Sequence, residues 1–123
     1  MRIGEVSKLT DISTHTLRYY EKVGLIYPIQ KGQGGIREYS EQDVSRLKFI
    51  KCMRGADVPI ESLKIYIDLY DEGTHTYEER MAILKNEYVN MLQKQKDVEA
   101  GVEYLKHKIE VLEQNEIERK KRI

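Results

Sequence analysis

From about Tyr77 to Glu118 the chain contains no proline and only one glycine, Gly101. Positions Tyr77, Met81, Leu84, Tyr88, Met91, Gln95, Val98, Val102, Leu105, Ile109, Leu112 and Glu116 are separated by alternating steps of four and three. This is a heptad repeat, and ten of its twelve positions are apolar or tyrosine. At ~1.5 Å per residue the element is a helix about 60 Å long. A lone helix of that length cannot bury its own stripe, so the stripe predicts a partner, and a second copy of the chain is the simplest one. The expected dimer seam is Met81, Leu84, Tyr88, Met91, Val98, Val102, Leu105, Ile109 and Leu112. Gln95, a polar residue within it, is suited to fixing register. Ile83, Val89 and Leu92 thicken the stripe early, and Tyr104 and Val111 late.

The preceding 76 residues punctuate themselves into shorter pieces. Ile3, Val6 and Leu9 recur at helical spacing. After Thr10-Asp11-Ile12, Ser13 is placed to cap a second helix running from about Thr14 to Val23. Gly24 stands where a left-handed residue ends a helix, and Leu25 can supply the accompanying apolar contact. Two short helices about a tight turn predict a helix-turn-helix. In IYPIQKGQGGIREYS, Gly32, Gly34 and Gly35 crowd a turn between two β-compatible flanks, which predicts a small hairpin or wing. Alternation puts Arg37 and Tyr39 on one face of its second strand and Ile36 on the other. Ser40-Glu41-Gln42-Asp43 reads as a capping box opening a third helix that ends near Gly55. Pro59 fits the first turn of a fourth helix, which stops at Gly73. Thr76-Tyr77-Glu78-Glu79 reads as a second capping box, opening the long helix. The fold class is therefore mostly α: a winged helix-turn-helix head with accessory helices over 1–75 and a dimerisation helix over 76–123.

Charge separates along the same division. The formal net charge is zero, but residues 1–56 carry ten basic and six acidic side chains, a net of +4, and residues 57–123 carry −4. A basic front half suits an anionic partner. The second helix shows how it would be met. At 100° per residue, Leu17 and Tyr20 share one face with Gly24 and Leu25 beyond it, and Ile12 can cover them. Arg18 and Tyr19 point elsewhere, with His15 and Thr16 near the helix N-terminus. A recognition helix needs apolar anchors on one side and donors near its N-terminus on the other. Arg18 offers a planar fork for phosphate or guanine, and Tyr19 a hydroxyl on a stiff ring. The wing adds Lys31, Arg37 and Tyr39.

Other chemistries find little support. His15, His75 and His107 are scattered, GQGG lies in a hairpin rather than at a strand-to-helix turn, and no nucleophile is visibly paired with a base. The residues thus point away from an enzyme and imply no cofactor and no metal. Cys52, the single cysteine, excludes an intramolecular disulfide. The N-terminus lacks the apolar run of a signal peptide, and no run approaches the ~18 residues of a membrane span, so a cytoplasmic protein is expected. On the third helix, Val44, Leu47, Ile50 and Met53 form one apolar stripe and Phe49, Cys52 and Ala56 a second. Cys52 reads either as a small buried hydrophobe or as a thiol whose thiolate is favoured by Lys48, Lys51 and Arg54. A sequence-tolerant architectural or excisionase-like DNA-binding protein, and a coiled-coil adaptor, remain as alternatives to a specific regulator.

The stretches IGEVSKLTDISTHTLRYYEKVGLIYP and IREYSEQDVSRLKFIK closely resemble the MerR family of bacterial transcription regulators, and the order of elements matches over essentially the whole chain. The resemblance implies a homodimer joined by an antiparallel coiled coil. It implies binding to double-stranded promoter DNA at a near-palindrome whose −35 to −10 spacer is too long. Bending and untwisting that DNA would let RNA polymerase engage both elements, an indirect effect exerted through the DNA. Carried over by position, the DNA-facing residues are His15, Thr16, Arg18, Tyr19, Arg37 and Tyr39, with Lys31 in the variable wing tip. The family's metal sensors carry paired cysteines near the end of the dimer helix, where this chain has EIERKKRI, and its multidrug sensors append a ligand domain for which this chain is too short. The segment from Leu47 to Lys85 is most similar to the aldehyde- and nitrosative-stress-responsive group, which implies that Cys52 is an electrophile or redox sensor.

Overall fold

A computed structural model describes residues 1–31 and 34–122. The chain divides into two compact units, Met1–Ile83 and Leu84–Ile123.

In the first unit, α1 (Ile3–Thr10) and α2 (Thr14–Lys22) form the helix-turn-helix. Ser13 caps α2 as its sequence suggests, accepting from the backbone N–H of Thr16 at 3.1 Å. Two nested hydrogen bonds close its C-terminus: Gly24 N–H to the Glu21 carbonyl at 3.1 Å, and Leu25 N–H to the Tyr20 carbonyl at 2.9 Å. This Schellman closure needs a left-handed residue at position 24, and Gly24 has φ +83° there. The space is also tight, because a Cβ on Gly24 would meet the ends of the Tyr27 and Lys64 side chains at 2.8–2.9 Å.

Strands β1 (Ile29–Lys31) and β2 (Ile36–Glu38) pair antiparallel, Gln30 opposite Arg37. Gly32 and Gln33 of the expected turn lie outside the described residues. Helix α3 (Glu41–Gly55) opens with the expected capping box, Ser40 and Asp43 each bonding the other's backbone N–H. Helix α4 (Ile60–Glu72) follows, with Pro59 just ahead of it as the cap residue instead of inside its first turn.

The core gathers Val6, Ile12, Leu17, Tyr20, Leu25 and Ile26 with Val44, Leu47 and Ile50 of α3 and Leu63 and Ile67 of α4. Leu9, at helical spacing from the buried Val6, is exposed. Of the two α3 stripes, the one through Leu47 and Ile50 is the buried one. Phe49 on the other meets the Tyr66 ring of α4, with centroids 5.5 Å apart. Lys51 reaches back to the end of α1, where its Nζ donates to the Asp11 carbonyl at 2.9 Å and the Thr10 carbonyl at 3.2 Å.

The second capping box is replaced by a different closure. Residues Thr74–Thr76 make a 3₁₀ turn that runs straight into the long helix α5 (Tyr77–Lys121). The Thr76 hydroxyl is turned inward, 2.7 Å from the Leu69 carbonyl and 2.8 Å from that of Gly73, and it accepts from Arg80 Nε at 3.0 Å. Burial of Thr76 against the end of α4 outweighs a local cap.

The second unit is α5 alone from Leu84 onward, and none of its described residues is buried. The heptad stripe is thus bare, with Leu105 63% and Ile109 57% exposed. Val102, Leu105 and Ile109 line a shallow apolar hollow on it.

Candidate nucleic-acid interface

Helix α2 sorts its residues as the helical angle predicts. Leu17 is fully buried and Tyr20 nearly so, and these two hold the helix to the head. His15, Arg18, Tyr19 and Lys22, spaced three, one and three apart, are all exposed. Tyr19 keeps 45% of its surface, its ring tilted 52° against that of Tyr20 at 6.1 Å. The adjacent tyrosines therefore divide into an anchor and a surface group. Thr16 is half-buried beside the cap. Its hydroxyl accepts from Ser13 Oγ at 2.9 Å, which leaves its own O–H to be donated outward.

The wing joins this face through Arg37. Its Nε donates to Glu21 Oε2 on α2, in an ion pair whose side chains are partly exposed. Sequence reasoning missed Glu21; its place in LRYYEK suggested only another charge on a wet helix. The side chain of Lys31 lies outside the described residues.

Tyr39 is a correction. It was expected on the surface with Arg37, but it is only 1% exposed, and its hydroxyl is buried without a hydrogen-bond partner. Strand alternation assigns both side chains to one side, but β2 ends at Glu38 and alternation does not say where a side meets solvent. Just past the strand end, the Tyr39 backbone is tied to Met1. Its N–H donates to the Met1 carbonyl at 2.7 Å, and its carbonyl accepts from the Met1 amino group at 2.8 Å. The ring follows that tie into the core. Burial chiefly, and then the Glu21 carboxylate, raise the phenol pKa above its ordinary value.

A second cationic group approaches the end of α2 from α4. Lys64 Nζ bonds both Asp68 carboxylate oxygens at 2.8 and 2.9 Å and the Tyr27 hydroxyl at 3.2 Å. The Asp68 hydrogen bond, then that to Tyr27, raises its pKa. Tyr27 and Lys64 are 37 positions apart, and no local sequence pattern pairs them.

Cys52 is exposed on α3, which removes the reading of it as a small core hydrophobe within this chain. Two cations expected to favour its thiolate are engaged elsewhere, Lys51 at the end of α1 and Arg54 on the Val58 carbonyl at 2.8 Å. Lys48, one turn away, is exposed.

The family model for "MerR HTH family regulatory protein" matches residues 1–69, the region that carries this whole face. Among curated proteins, the chain is 44% identical over 93 residues to the HTH-type transcriptional regulator AdhR of Bacillus subtilis, a match covering 76% of this chain and 66% of that one. It therefore spans just under two thirds of that relative's length. Among solved structures, a MerR-family transcriptional regulator from Bacillus thuringiensis superposes with a TM-score of 0.79 at 31% identity, over 89% of this chain and 96% of the other. HiNmlR, a MerR family regulator lacking the sensor domain and bound to promoter DNA, superposes with a TM-score of 0.79 over 88% and 86%. At 22% identity this last likeness is one of fold. The helix-turn-helix, the wing and the long helix are thus shared with proteins alike in sequence as well as in shape, and the chain belongs to the MerR family.

Proposed function

We propose that the chain is a cytoplasmic, sequence-specific transcription regulator that binds promoter DNA as a homodimer and is not an enzyme. One observation carries the reading. A capped helix is fixed to a compact head by Leu17 and Tyr20 and turns His15, Arg18, Tyr19 and Lys22 outward in a row. Arg18 and Lys22 meet phosphate or guanine, Tyr19 a phosphate, and His15 and Thr16 the base edges. Arg37 and Lys31 extend the contact from the wing. Among the described residues no helix is long and apolar enough to cross a membrane.

The bare stripe of α5 supports the homodimer, since exposed apolar residues at heptad spacing are satisfied by a second stripe. Charge favours the antiparallel arrangement implied by the family. Glu72, Glu78 and Glu79 bring negative charge to the start of the long helix and its approach, whereas Arg119, Lys120, Lys121 and Arg122 bring positive charge to its end. Parallel pairing would stack like on like. Two heads related by a twofold axis read a palindrome, and holding both on one promoter lets the dimer bend it, so that RNA polymerase responds through DNA shape. In this reading exposed Cys52 is the site where an electrophile or oxidant acts.

Fluorescence anisotropy on a duplex carrying a spaced inverted repeat tests the proposal. Binding should be tight, specific and salt-dependent, and Arg18→Ala should weaken it while lowering the salt slope by about one. Sequence-tolerant binding would instead indicate an architectural protein, and no binding to any duplex an adaptor.

A further inference from the structure

We propose that Tyr39 is a positioning residue for DNA binding: its buried hydroxyl takes over the Glu21 carboxylate when a backbone phosphate claims Arg37. The inference rests on the function proposed above and concerns how the same face changes hands. In the free chain Glu21 holds Arg37 in an ion pair. That arrangement is a poor final state for binding DNA. It neutralises a wing cation, and it leaves an acid on the helix that would face phosphates. A phosphate offers the guanidinium a bidentate, doubly charge-assisted partner, so the pair should open in the complex. The released carboxylate then needs a donor that is not already engaged.

Tyr39 supplies one. It stands two residues beyond Arg37, just past the end of β2, and its Oη is buried with no partner. Buried hydroxyls are rarely left so. Among the charged groups that act on this phenol, the Glu21 carboxylate is foremost, ahead of Arg37, Asp43 and Arg18, so the hydroxyl is within electrostatic reach of the ion pair that DNA would open. Of its two carboxylates, Asp43 is committed to the Ser40 backbone N–H at 2.9 Å, which closes the cap of α3. Glu21 is the one that exchange can release. Turning the Glu21 side chain from Arg37 to Tyr39 Oη would satisfy the orphaned donor, hold the negative charge off the phosphates and free the arginine in one step. No proton is transferred; the phenol stays protonated and donates.

The test is a double-mutant cycle read by DNA affinity, with thermal unfolding alongside. The chains are the unsubstituted protein, Tyr39→Phe, Glu21→Ala and both together, each titrated onto a duplex selected for binding from random sequence. Tyr39→Phe should leave the unfolding temperature equal or higher, because it removes an unpaired buried hydroxyl. It should nevertheless raise Kd about 10- to 100-fold, the loss of one hydrogen bond to a charged group. Glu21→Ala should tighten binding at low salt, and in that background Tyr39→Phe should have no further effect. An unchanged Kd for Tyr39→Phe, an equal penalty in both backgrounds, or a penalty matched by lost thermal stability overturns the inference and leaves the proposed function standing. Failure of the unsubstituted chain to bind any duplex overturns both.

Discussion

Replacing Leu105 and Ile109 by aspartate should convert the proposed homodimer to monomers while leaving the head folded. In the single chain these side chains are 63% and 57% exposed, so more than half of their apolar surface is still available to be buried by a partner. Full burial of such a side chain stabilises by about 1.5–3 kcal/mol, and the outstanding share is then roughly 1–2 kcal/mol each. A twofold dimer contains four of them, so the substitutions remove about 4–8 kcal/mol of association free energy, before the cost of bringing carboxylates to a dry seam is counted. At 1.4 kcal/mol per tenfold, that weakens association by roughly three to six orders of magnitude. Sedimentation equilibrium at micromolar concentration measures it directly. Far-ultraviolet circular dichroism gives a second readout, because α5 without a partner should fray along its length, whereas the first unit has its own core. A chain with both substitutions that still sediments as a dimer refutes the heptad seam, and a loss of head structure refutes the independence of the two parts.

Three further perturbations separate scaffold from contact. Tyr20→Phe should leave DNA affinity within about twofold, whereas Tyr19→Phe should weaken it several-fold at unchanged unfolding temperature through a lost phosphate hydrogen bond of about 1 kcal/mol; equal effects in anisotropy titrations would mean that the two rings do not divide the work. Gly24→Ala should destabilise the head by about 1–2 kcal/mol in urea at fixed protein concentration, chiefly from the left-handed backbone, since the Tyr27 and Lys64 side-chain ends can move aside; a neutral result would show that the α2 closure can be remade. Cys52→Ser should preserve dimerisation and operator binding but abolish the transcriptional response to aldehydes and nitrosating agents; a full response in that variant, or no adduct on Cys52 by mass spectrometry, would sink its role as a sensor.

What could be read in the sequence, and what could not, divides by the range of the interaction. Ser13, Gly24 and Ser40 act within a turn of their own positions, so a cap or a left-handed glycine is visible in a few letters. The seam of α5 is visible because a helix repeats its face. The exposed row of α2 follows from the same periodicity once Leu17 and Tyr20 are recognised as anchors. Thr76 and Tyr39 depend instead on partners brought close by the fold. The threonine lies seven residues from the Leu69 carbonyl, and the tyrosine 38 from Met1. Each fits a local rule, a capping box or an alternating strand, and each is overruled by burial.

Those failures fall in functionally different places, and the difference bears on mechanism. At Thr76 the buried hydroxyl is fully used, so the local rule was exchanged for a stronger tertiary one. At Tyr39 the ring gained its burial but the hydroxyl gained nothing, while Glu21, the carboxylate that acts most on it, is held by the wing arginine. A core position that needed only volume would be served as well by phenylalanine. A tyrosine with an unpaired oxygen, within reach of the field of the carboxylate that holds Arg37, makes sense when a second arrangement of the same side chains uses that oxygen. The free chain then stores an unmet hydrogen bond and a masked arginine together, and binding a phosphate relieves both.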